Sequence, residues 1–181
     1  MMKAIVFLAT GFEEVEAVGT IDVLRRGDIE TVTVSVTGDK TVTGAHDIPV
    51  VADELFENVD YSLFDTLVLP GGGPGSSMLN RHEGVRKVIV EHYNNRKLIA
   101  AICAAPRVFG SLGLLEGKKA TCYPGFEPEL KGAIIVDAPA VTDHNVITGK
   151  GPGLVFNFGL EILKYYASDC RADDVAEGLL L

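Results

Sequence analysis

The sequence predicts an α/β protein with a mostly parallel, doubly wound sheet and helices on both faces. Three observations lead there. Strand-length apolar runs alternate with segments of helical spacing, the loops between them are short, and the first apolar run reads as a buried strand. A length of 181 residues suits one domain over 1–181, large enough to bury a core without staples.

Taken in order, the first strand is expected over 3–9. A helix follows over 14–26, with Val15, Val18, Ile21, Val23 and Leu24 at roughly helical spacing, and Gly27-Asp28 ends it. Residues 29–36 form a β-branched strand, 41–51 a small hairpin, and 63–70 a strand that runs into Gly71-Gly72-Gly73-Pro74-Gly75. A short helix after the glycines precedes a longer one over 84–95, with Val85, Val88, Ile89 and Tyr93 turned inward. The strand 97–102 then leads to Cys103, followed by a helix over 104–112. Short strands at 119–122 and 133–136 precede a strand pair within 141–148 that turns at His144-Asn145. The last long helix begins at Gly151-Pro152-Gly153, where proline suits a first turn, and runs to Tyr166.

Composition narrows the function. Apolar residues make up 47% and charged residues 23%, as in ordinary globular proteins. A formal charge of −9 argues against a nucleic-acid partner, which wants a basic face. No apolar run approaches membrane-spanning length, and the N-terminal run meets Gly11-Phe12-Glu13-Glu14 instead of a cleavage site. Cys103, Cys122 and Cys170 are too few and scattered for a disulfide framework, and no paired cysteine or histidine spacing suggests a metal. A cytoplasmic setting is expected.

Three features carry chemistry. Cys103 ends a strand and precedes Ala104-Ala105-Pro106 and a helix, the layout of a strand–nucleophile–helix turn at the carboxyl edge of a parallel sheet. A helix N-terminus there favours the thiolate; the alternative is a buried cysteine closing a core strand. In Gly11-Phe12-Glu13-Glu14-Val15-Glu16, Glu13 and Glu14 suit the positive end of a helix. Glu16 can face back toward Cys103 with a raised pKa and share its proton. The glycines at 71–73 let backbone N–H groups approach a substrate oxygen, or simply form a turn; their spacing is not that of a dinucleotide fingerprint.

Together these residues resemble the ThiJ/PfpI superfamily and, within it, the DJ-type branch. The matching stretches are Gly11 to Glu16, Thr20 to Gly27, Val68 to Gly72, Ile99 to Pro106 and Gly149 to Gly153, in the family's order over essentially the whole chain. The resemblance implies a flavodoxin-like sandwich, a homodimer, and Cys103 as nucleophile on a strained elbow with Glu16 hydrogen-bonded to its sulfur. It also implies an anion pocket from Gly72 and the backbone at Ala104, with Gly71 adjoining. The activities it implies are glyoxalase, deglycase, redox-sensing or chaperone functions, and protease or amidase action; none of the first three needs a cofactor or metal.

Two departures refine this. Ala104 stands where the protease-like branch has a histidine, so no base adjoins Cys103 and peptide hydrolysis is disfavoured. Tyr123 stands where many DJ-type members have a histidine, so it can position a ligand but not take a proton. The leading expectation is an enzyme acting on a small 2-oxoaldehyde or its glycation adducts through Cys103 and Glu16. The rival is a sensor or chaperone with an oxidisable Cys103, and a thiazole-phosphate biosynthetic role finds no residue-level support. None of the histidines is assigned to catalysis: His82 and His92 are expected in solvent and His144 in a turn. His46 is expected to pair with a carboxylate such as Glu13 near a subunit contact. Cys122 is expected in a core strand and Cys170 exposed.

Overall fold

The computed structural model describes residues 2–166 and 169–181. Its seven-stranded sheet contains β1 (Lys3–Leu8), β2 (Glu30–Ser35), β5 (Glu54–Leu55), β6 (Thr66–Leu69), β7 (Leu98–Ile102), β10 (Ala140–Asp143) and β11 (Val146–Gly149). These run in the order β10-β11-β7-β6-β1-β2-β5. Every pairing is parallel except β10 with β11. Among the longer parallel strands the order is second, first, third, fourth, fifth, the flavodoxin-like winding with its switch point between β1 and β6.

Alternation along the strands explains the two layers of helix. In β1, Ile5 and Phe7 join Leu67, Leu69, Ile99 and Ala101 beneath α2 (Gly73–Arg81), α3 (Glu83–Asn94) and α4 (Pro106–Ser111). Ala4 and Val6 face the other way, with Val68, Ala100 and Ile102. They pack under α1 (Glu14–Arg26), α5 (Val155–Tyr166) and α6 (Asp169–Gly178). Strands covered on both faces read as continuous apolar runs, which is why these segments were legible. A third cluster of Leu8, Phe12, Ala17, Val42 and Ala52 fastens the hairpin of β3 (Thr41–Thr43) and β4 (Pro49–Val51) beneath the start of α1.

Several expectations need correction. The helix expected from Gly151 begins later: a 3₁₀ turn over Pro152–Leu154 leads into α5. Strand β5 and helix α6 have no counterpart in the sequence reading; among the described side chains α6 offers Ala172 and Val175 to the core, too faint a period to mark a helix. Strand β8 spans only Lys119–Ala120, paired with β9 (Ile134–Ile135), so Cys122 is buried beyond the strand rather than in it. The side chain of Cys170 lies outside the described residues. His92 is buried, not solvated, and His82 is half-buried, its Nδ1 accepting from the Val85 N–H at 3.1 Å to cap α3. Among the described residues no helix is long and apolar enough to cross a membrane.

Candidate active site

Three neighbouring strands, β1, β6 and β7, end on the Gly11 turn, the glycine loop and Cys103 respectively, at the carboxyl edge beside the switch point. Cys103 leaves β7 at φ 64°, a left-handed conformation that costs a non-glycine residue about 1–2 kcal/mol. Two backbone hydrogen bonds impose it. The Cys103 N–H donates to the Gly149 carbonyl at 2.9 Å, and the Tyr123 N–H donates to the Cys103 carbonyl at 2.9 Å. Strain of this kind persists only where the surroundings over-determine the backbone. The elbow is 8% exposed.

Glu16 meets it from α1. Glu13 caps that helix, its Oε2 accepting from the Glu16 N–H at 2.7 Å, which points the first turn toward the strand ends. The Glu16 side chain is fully buried. Its Oε2 accepts from the Gly71 N–H at 2.8 Å, Oε1 has no hydrogen-bond partner, and the Cys103 thiol adjoins the carboxyl group. A Cβ at Gly71 would lie 2.5 Å from Glu16 Oε2 and 2.6 Å from Cys103 Cβ, so the two side chains converge where only glycine fits. Gly72 is equally constrained. At φ 85° it starts α2, and a Cβ there would lie 2.3 Å from the Gly11 carbonyl oxygen.

The anion-pocket expectation divides here. The Gly71 N–H donates to Glu16 and so holds the carboxyl in place. The amides of Gly72 and Ala104 are the ones directed at the Cys103 sulfur. Tyr123 contributes its backbone to the elbow, while its ring, 46% exposed, stands over Gly151.

The electrostatics differ from a simple helix-activated thiolate. Burial raises the Glu16 carboxyl to about 7, against the opposing pull of the thiol and of the Gly71 amide. Burial likewise pushes the Cys103 thiol up to about 12; the Glu16 charge adds to this, and the Gly72 and Ala104 amides oppose it. Helix α4 is one short turn and a half, so its field loses to desolvation. Both groups therefore hold their protons more tightly than free side chains: below about 7 carboxyl and thiol are both neutral, and above it the carboxyl ionises beside a neutral thiol.

His46 pairs with Glu14, not with Glu13. Glu14 is buried, and its Oε2 lies 2.8 Å from His46 Nδ1 while Oε1 accepts the His46 N–H at 2.6 Å. Burial alone would raise the Glu14 carboxyl, but the His46 ring and backbone donors hold it below the usual range. Glu14 is therefore a clamp on the hairpin, and α1 carries two buried acids with different tasks. Its signal was absent from local sequence because the partner lies 32 residues away.

A flavodoxin-like sheet with a cysteine elbow and a buried glutamate facing it defines a class of cysteine-bearing α/β proteins. The chain belongs to the DJ-1/PfpI family, whose sequence profile matches residues 2–165. It is 36% identical to Protein dj-1beta of Drosophila melanogaster over 99% of this chain and 97% of that protein. It is 30% identical to a Schizosaccharomyces pombe protein named "Glutathione-independent glyoxalase DJ-1", over 99% and 98%. Identity to Protein DJ-1 homolog B of Arabidopsis thaliana is 38%, and there the chain spans 41% of the relative's length. Among solved structures, the Drosophila DJ-1beta crystal structure superposes with a TM-score of 0.94, covering 99% of this chain and 98% of that one.

Proposed function

We propose that the chain, as one domain over 1–181, is a cofactor-independent, cysteine-dependent enzyme of the glyoxalase or deglycase type. Its substrates are 2-oxoaldehydes such as methylglyoxal, or their early glycation adducts, and its role is stress-protective, in the cytoplasm and as a homodimer. The observation that carries this reading is Glu16, fully buried, fixed by Gly71 and turned to Cys103 with a carboxyl raised to about 7. A carboxyl that titrates near neutrality can give and take protons at working pH. The name of the fission-yeast relative supports the choice of substrate. Exposed Val15 and Val18 on α1 with Ile48 and Val51 on the hairpin support a contact between copies through those elements.

In the proposed sequence Glu16 takes the thiol proton as sulfur bonds to the aldehyde carbon and passes it to the aldehyde oxygen, giving a hemithioacetal and leaving Glu16 ionised. Glu16 then removes the proton from that carbon and returns it to the neighbouring one, while the hydroxyl proton moves to the former ketone oxygen, leaving a thioester and a secondary alcohol. Water cleaves the thioester, releasing the 2-hydroxy acid and restoring the thiol. The Gly72 and Ala104 amides face the sulfur, where they can hold the developing oxyanion.

The test is lactate formation from methylglyoxal without added thiol, for the native chain, Cys103→Ser and Glu16→Gln. Each substitution is expected to lower turnover at least about a hundredfold. Undiminished turnover in Cys103→Ser would overturn the reading. A second reading, an oxidation sensor, draws on the same two amides, which could hold sulfinate oxygens, and on a Toxoplasma gondii DJ-1 structure described as oxidized (TM-score 0.95, 32% identity, 99% of this chain and 98% of that one). A native chain without turnover, its Cys103 still alkylatable, would favour the sensor.

A further inference from the structure

Where the two segments that pin Cys103 continue along the chain lies a cavity of about 250 Å³ whose lining includes Thr121, Cys122, Glu127, Val136, Asp137 and Lys150. It is below the usual size of a drug pocket and suits a metabolite fragment. Both segments that pin Cys103 run into its wall. Tyr123, which holds the Cys103 carbonyl, separates Cys122 from the lining residue Pro124; Gly149, which receives the Cys103 N–H, directly precedes Lys150. The Thr121 N–H donates to Thr148 Oγ1 at 2.9 Å, tying the two walls together.

Lys150 is the one cation in this lining, and its side chain is 32% exposed. Its ammonium is paired with Asp137, whose side chain is 87% exposed. Glu127, the second acid of the lining, accepts the Gly125 N–H through Oε2 at 2.7 Å. A pair with so exposed a member contributes little and is readily exchanged. Cys122 supplies an inert wall, its thiol pushed up to about 11 by burial and then by the charges of Glu127 and Glu129.

We propose that this cavity reads a carboxylate on the substrate, so that the chain favours 2-oxoaldehydes ending in a carboxylate, with Lys150 exchanging Asp137 for that group. The proposal rests on the glyoxalase reading and deepens it. The reaction is the same net addition of water: the aldehyde carbon is oxidised to a carboxylate as the adjacent ketone is reduced to an alcohol, with no outside electron donor or acceptor. From 4,5-dioxopentanoate the product is 2-hydroxyglutarate.

The experiment compares kcat/KM for 4,5-dioxopentanoate and methylglyoxal in the native chain, Lys150→Met and Asp137→Asn. The ratio is expected to favour the carboxylate in the native chain, to fall about tenfold in Lys150→Met, and to rise in Asp137→Asn. Calorimetric binding of 2-hydroxyglutarate to Cys103→Ser, with and without Lys150→Met, needs no turnover and should weaken by a similar factor. If neither aldehyde is consumed but this binding depends on Lys150, the enzyme reading fails and the subsite stands. If methylglyoxal is consumed while Lys150→Met moves neither ratio nor binding, the subsite fails and the enzyme stands.

Discussion

At the scale of single residues, the Glu16 carboxyl has a consequence for stability as well as chemistry. Its value rises from 4.5 to about 7 on folding, so between those limits the native chain holds a proton that the unfolded chain has lost. Stability from this group is complete below pH 4.5 and declines as pH climbs through 7. Glu16→Gln cannot ionise. Its stability relative to the native chain should therefore improve by on the order of 2–3 kcal/mol between these pH limits, read from urea midpoints. An unchanged difference between the two chains across that range would refute the raised carboxyl. The placement of Cys103 and Glu16 was legible in sequence, since Cys103 directly follows β7 and Glu16 lies in the first turn of the helix after β1. The raised thiol was not, because it depends on desolvation by segments distant along the chain.

At the scale of elements, the hairpin of β3 and β4 is held to the site by backbone and side chain together. The Gly11 N–H donates to the Thr43 carbonyl and the Ala45 N–H to the Phe12 carbonyl, both at 2.8 Å, and Glu14 binds His46. Two opposite titrations act on the clamp. Glu14, lowered below 4.5, contributes above that value and is lost as pH falls through its folded value. His46, raised above 6.5 by its hydrogen bond to Glu14, contributes below 6.5 and is lost as pH rises through its folded value. The clamp is tightest from about pH 4.5 to 6.5. Glu14→Ala should speed hydrogen exchange at the His46 amide about tenfold or more in that window, with a smaller effect in the α3 amides. Equal acceleration throughout would show global unfolding instead. The hairpin itself was readable from its β-branched residues and turn; its fastening was not.

Across the whole molecule, a sheet buried on both faces places its ionisable groups under opposing demands. His92 occupies the inward stripe of α3 with Val85, Val88 and Ile89, and Nε2 has no partner. Burial lowers its affinity for a proton, and the nearby Lys97 charge adds to this, against the Phe64 and Val88 carbonyls and the Glu91 carboxylate, which favour the charged ring. The native chain thus resists protonation where the unfolded chain accepts it, so stability falls as pH drops below 6.5. His92→Leu should flatten this acid limb in thermal unfolding below pH 6.5; a limb of unchanged steepness would place its origin elsewhere. The spacing 85, 88, 89, 92 already put His92 on the apolar stripe, and reading histidine as a surface residue obscured it. The doubly wound class was legible for the complementary reason: continuous apolar runs mark strands covered on both faces, and they alternate with helical segments.

The arrest of the elbow also bears on handedness. With both its amide and its carbonyl engaged, Cys103 can carry a bound intermediate only by rotating its side chain. Glu16, held by Gly71, approaches from one side. In the proposed reaction the proton reaches a planar carbon from that side alone, so a flat, symmetric intermediate becomes a chiral acid of one configuration. The asymmetry of the product is then an imprint of where a glycine amide anchors one carboxyl oxygen.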